Sequence, residues 1–122
     1  MTKFLLTLLI AGLAGLAPAG GLAIGGGSVT VSPDPVTLGS TFTLEACGLP
    51  VPTSVSFEVN GPRKADPPIH YFTAGEPSTA PCFEDEWLAW WGVEGAYQIT
   101  AWWRDSKGAT HKLAVAKFTV VP

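Results

Sequence analysis

The chain has 122 residues, with seven Lys and Arg against ten Asp and Glu, and a net charge of −3. An acidic balance with few basic residues argues against nucleic acid, whose phosphates demand clustered Lys and Arg, and against a polybasic membrane patch. The length leaves room for one small core, and two cysteines allow one disulfide.

Residues 1–19 read as a signal peptide. Lys3 makes a short basic start, Phe4 to Ala17 is apolar and uncharged, and Ala17-Pro18-Ala19 supplies a small-x-small cleavage site. Cleavage after Ala23 is the second choice. The rival is a retained anchor, because the apolar run stretched to Gly27 is long enough to span a bilayer. Pro18, the dense glycines after it and the lack of any Lys or Arg between Lys3 and Arg63 count against an anchor. Export places the mature chain outside the cytoplasm or in the cell envelope, with no membrane contact after cleavage. There Cys47 and Cys82 read as a disulfide. Its loop of about 35 residues is worth roughly 3–4 kcal/mol in the chain-entropy picture.

Residues 20–28 read as a flexible linker ending in Gly25-Gly26-Gly27-Ser28. Residues 29–122 form the domain, a series of short alternating runs broken by turn residues, which signals an all-β sandwich or barrel. Ser28 to Ser32 is the first run, and Pro33-Asp34-Pro35 breaks it. Val36-Thr37-Leu38 resumes the strand before Gly39-Ser40. Thr41 to Cys47 puts Phe42, Leu44 and Ala46 on one face; Thr53 to Asn60 does the same with Val55, Phe57 and Val59. Residues 62–86 hold five prolines and read as irregular, apart from a short strand at Ile69 to Thr73. In Ala96 to Asp105, Tyr97, Ile99, Ala101 and Trp103 share one face, and Gln98, Thr100, Trp102 and Arg104 the other. Asp105-Ser106-Lys107-Gly108 is a hairpin turn. His111 to Val121 closes the domain, with Ala114, Ala116, Phe118 and Val120 inward.

Taken in order, SVTVSPDPVTLGSTFTLEACGLP, TSVSFEVNG and GAYQITAWWRDSKGATHKLAVAKFTVV resemble bacterial extracellular immunoglobulin-like domains, over roughly residues 28–121. The resemblance implies an antiparallel β-sandwich of about seven strands with no catalytic residues to carry over. One departure concerns the disulfide, which in antibody-type domains joins the second and sixth strands around a tryptophan. Here Cys82 comes about 14 residues before the sixth strand, and Phe57 stands where a tryptophan is expected. The bond is therefore expected to tie the proline-rich crossover to the end of the second strand.

Catalysis needs convergent groups, and His70 and His111 are the only histidines. No nucleophile elbow, phosphate loop or paired-histidine metal spacing is present, so the expectation is no enzyme, no cofactor and no metal. The run Glu84-Asp85-Glu86 reads as a solvated acidic turn rather than a calcium loop, which would space its acids alternately.

The aromatic residues remain. All five tryptophans, Trp87, Trp90, Trp91, Trp102 and Trp103, fall within residues 87–103. Strand phase assigns Trp103 to the core and Trp102 to the outer sheet face, with Leu113 and Val115 as outward neighbours. Trp87, Trp90 and Trp91 are spaced to meet on one helical turn, and read as a strand they divide between two faces. These six residues, Trp102, Trp90, Trp87, Trp91, Leu113 and Val115, are the candidate partner-binding set. The partner would be a protein or a cell-surface glycan, with the oligomeric state open. The leading function is a secreted, non-enzymatic domain mediating binding or adhesion. A structural subunit of a fibre, envelope layer or phage virion is the second reading. A carbohydrate-binding module is the third, ranked last because Asn and Gln are almost absent.

Overall fold

The structure is a computed structural model and describes residues 21–23, 26–63, 65, 67–89 and 93–122. The expected signal peptide, together with Trp90 and Trp91, lies outside the described residues. The described residues form ten strands and no helix: β1 (Gly21–Ala23), β2 (Ser28–Ser32), β3 (Val36–Thr37), β4 (Thr41–Cys47), β5 (Thr53–Asn60), β6 (His70–Phe72), β7 (Glu76–Ser78), β8 (Cys82–Leu88), β9 (Gly95–Arg104) and β10 (Thr110–Val121).

Two sheets result. The larger runs β1-β10-β9-β5-β6, with β3 also on β10 and β7 also on β5; the smaller is β2-β4-β8. All pairings are antiparallel except β3 with β10. The alternation seen in the sequence sends one side of each strand into a shared core. Val29, Val31, Phe42, Leu44 and Ala46 come from the smaller sheet, and Val55, Phe57, Val59, Tyr97, Ile99 and Phe118 from the larger. All of these are at most 2% exposed, so the two sheets bury one another's apolar faces.

Turn chemistry sets the register of the final hairpin. Gly108 takes φ +88°, which its missing Cβ permits, and its N–H donates to the Asp105 carbonyl. One Asp105 carboxylate oxygen accepts from the N–H groups of Lys107 and Ala109, closing the loop.

β8 corrects the expectation of an irregular crossover. Residues 82–88 pair along the whole of β4, Cys82 opposite Cys47 and Trp87 opposite Phe42. The disulfide therefore joins two paired strands instead of fastening a loop. Period-two alternation was present, with Phe83, Asp85 and Trp87 on the inner side. An aspartate at the middle inward position made the run look like a turn. β7 was missed for a related reason: Pro77 sits in it, and proline is tolerated only where a strand lies at an edge or needs no N–H bond.

A second correction concerns Leu113. Ala101 pairs with Ala114 but Trp102 pairs with Lys112, so Leu113 is the extra residue of a β-bulge in β10. The bulge breaks the alternation, and Leu113 turns inward to 2% exposure. It packs over Gly27, where an added Cβ would lie 2.3 Å from the Leu113 Cδ1.

The segment read as a linker contributes β1, which pairs Gly21 to Ala23 with Ala116 to Ala114. Further along the same edge of β10, the Thr119 N–H donates to Asp34 and β3 pairs with Val120 and Val121. Asp34 lies in the break that the two prolines create.

Candidate functional site

The outer face of the larger sheet is built by β10, β9, β5 and β6. Strand phase places Thr100, Trp102 and Arg104 of β9 outward beside Ser54, Ser56 and Glu58 of β5. His70 and Phe72 of β6 extend the face, opposite Asn60 and Glu58. Val115, half-buried, stands beside Thr100.

Glu58 is the hub. Its Oε1 accepts from the Trp102 indole N–H at 3.1 Å, and its Oε2 lies 2.9 Å from His70 Nε2. Three neighbouring strands are thus joined through one carboxylate. Its partial burial pushes the carboxyl pKa up, but the hydrogen bonds from His70 and Trp102 outweigh that and hold it below the usual carboxylate range. On the other flank, the Lys112 ammonium sits 5.6 Å from the Trp102 ring centroid, within cation–π reach. The indole is half-buried and held from both sides. Thr100, between Glu58 and Val115 on the neighbouring strands, is only 3% exposed although it points outward.

Of the candidate set, the structure brings Trp102 and Val115 to this face. Leu113 is in the core, as described. Trp87 also turns inward, packing edge-on against Phe42 and Phe57 with centroids 6.3 Å away. Its indole N–H donates to Asp85 Oδ2 at 2.9 Å. That bond gives the inward-pointing aspartate a partner. A charge turned inward on the edge strand β8 also discourages pairing with other chains. Trp103 lies at the rim of the core, stacked on His111 at 4.5 Å, and His111 bonds Asp105. Sequence reasoning missed Glu58, His70 and Phe72 as members of the face. The signal was available for Glu58, which stands out of phase with Phe57 and Val59. Nothing in the sequence announced that β6 pairs in the register that places Phe72 opposite it.

Three other features carry charged or polar groups. The Glu45 carboxylate and the sulfurs of Cys47 and Cys82 lie within 4.8 Å of one another, but both sulfurs are spent in the disulfide. Burial pushes the Glu45 carboxyl up, and the nearby Glu84 adds to it. Glu84 and Glu86 alternate with the inward Asp85, so this run does not converge on one ion. A larger hollow of about 780 Å³ opens at the opposite end of the sheet, with Arg63 and Lys117 in its lining. Its floor includes Tyr97, whose hydroxyl donates to the Val93 carbonyl at 2.6 Å.

Fold and site together define an all-β, two-sheet domain with an aromatic and charged cluster on the outer face of its larger sheet. No protein-family model matches the chain, and no curated protein does. Among solved structures, the soluble domain of PmoD from Methylocystis sp. ATCC 49242 (Rockwell) is similar. The TM-score is 0.55 at 11% identity, over 84% of this chain and 98% of that one. At that identity the likeness concerns the fold alone.

Proposed function

We propose that this is an exported, non-enzymatic immunoglobulin-like domain that binds a partner at the cell surface through the outer face of its larger sheet. The disulfide is compatible with an extracellular or periplasmic location. The immunoglobulin-like reading draws on the strand motifs and on the two-sheet core. The observation that carries the binding role is Trp102, a half-buried indole fixed by Glu58 and Lys112 on a face that no element among the described residues covers. A large aromatic ring held rigid loses little side-chain entropy on contact, which is why tryptophan is enriched at binding hot spots.

The test is retention of the chain on envelopes of the cells that produce it. Trp102→Ala should lower retention roughly tenfold or more while the circular dichroism of the sheets is kept. Parent-like retention by a folded Trp102→Ala protein would refute the proposal.

A further inference from the structure

We infer that the partner is an acidic polysaccharide, a polymer of carboxylate-bearing sugar rings, and that its carboxylate is held by Arg104 in the hollow beside Trp102. This rests on the reading of the Trp102 face as a contact surface and names what that surface takes.

Charge is the first observation. Residues 95–121 carry Arg104, Lys107, Lys112 and Lys117 against a single acid, Asp105, whereas residues 28–94 carry two basic side chains and nine acids. Asp105 is already engaged by His111 at 2.8 Å. The hairpin of β9 and β10 is thus the basic part of an acidic domain and carries the half-buried Trp102, while the one acid at the centre of that face, Glu58, is engaged by His70 and Trp102. Among the described residues, the Arg104 guanidinium has no ion pair or side-chain hydrogen bond.

Shape and chemistry of the hollow are the second. Arg104 and Trp102 border a hollow of about 140 Å³ whose other walls include the hydroxyl-bearing Ser54, Ser56 and Thr110. Gly75 leaves it open: an added Cβ there would come within 3.3 Å of the Ser54 Cβ. The volume is well below the roughly 300 Å³ at which pockets begin to enclose whole small molecules. It suits one group of a larger ligand. A guanidinium gives a carboxylate two parallel donors, and the three hydroxyls can donate to or accept from ring hydroxyls.

The spread of the apolar groups favours rings over a peptide. Protein contacts concentrate their energy in a desolvated apolar centre. Here Trp102 and Phe72, which is 53% exposed, stand two strands apart and two residues out of step, about 12 Å on the diagonal, with the polar Glu58 and Ser56 between them. Separate aromatic platforms with polar groups between them suit successive rings of a flat polymer. The structure thereby supplies, from Ser, Thr, Glu and Arg, the polar neighbours that the scarcity of Asn and Gln in the sequence had counted against sugar binding.

The full chain is titrated with polygalacturonate, with the same polymer methyl-esterified, and with poly-glutamate, following tryptophan fluorescence and heat. Polygalacturonate should bind and alter the fluorescence. Esterification, Arg104→Gln and Trp102→Ala should each weaken binding about tenfold or more, while Arg63→Gln, at the opposite end of the sheet, should stay within about twofold of the parent. Arg104 is exposed, so its variant reads the site even if Trp102→Ala fails to fold. Equal binding of the esterified polymer would overturn the carboxylate assignment. Equal binding of poly-glutamate would overturn the glycan and point to an acidic polypeptide. Should no polymer bind while envelope retention still depends on Trp102, the inference falls and the contact face stands; should retention be independent of Trp102 as well, both fall.

Discussion

Glu58 accepts hydrogen bonds from two neighbouring strands and is held below the ordinary glutamate value of 4.5. A carboxyl depressed in the fold contributes stability that is complete above its unfolded value and is lost as pH falls through its folded value. Acid should therefore destabilise the parent more steeply than Glu58→Gln below about pH 4.5, as measured by thermal melts from pH 6 to pH 3. Identical slopes would remove Glu58 as a stabilising charge. Glu45 has the opposite sign: its raised carboxyl costs stability when ionised, and the cost is relieved as pH falls through its folded value. Glu45→Gln should raise stability at neutral pH by a few tenths of a kcal/mol, solvent screening keeping the gain small. Gly48 is a backbone case, with φ +85° and an added Cβ 2.7 Å from the Gly26 carbonyl oxygen. Gly48→Ala should cost at least about 1–2 kcal/mol, a fall in Tm of several degrees.

At the scale of elements, strands with plain alternation were legible in the sequence, and those with interrupted alternation were not. β2, β4, β5, β9 and β10 follow from apolar residues at every second position, the short β3 and β6 from the runs at Val36 and Ile69, and the hairpin from Gly108. β8 was hidden because Asp85 occupies an inward position, made tolerable by the Trp87 indole N–H two residues on. The bulge at Leu113 was hidden because Leu113 to Ala116 is an unbroken apolar run that fits either phase; the register with β9 creates it. The candidate site shared this fate. Trp102 could be placed by phase, but its partners Glu58 and His70 come from strands whose register no local pattern fixes. The cross-strand bond between Cys47 and Cys82 closes a separation of 35 residues. Replacing both by Ala should lower unfolding free energy by about 3–4 kcal/mol in urea titrations. A loss below about 1 kcal/mol would mean that the β4–β8 pairing already restrains the unfolded chain.

For the whole molecule, the two sheets differ in charge. The smaller sheet places Glu45, Glu84 and Glu86 along the outer positions of β4 and β8, while the basic residues gather on the β9–β10 hairpin of the larger. The anionic partner inferred for the Trp102 face would meet attraction at the hairpin and repulsion at the opposite face, so its binding should weaken steadily with added salt. The decisive measurement is an amide hydrogen-exchange footprint of the chain on and off the producing cells' envelopes. Added protection is expected in residues 54–60 and 98–104, with residues 41–47 and 82–88 unchanged. Protection confined to those last two segments would put the contact on the wrong sheet and contradict the proposal.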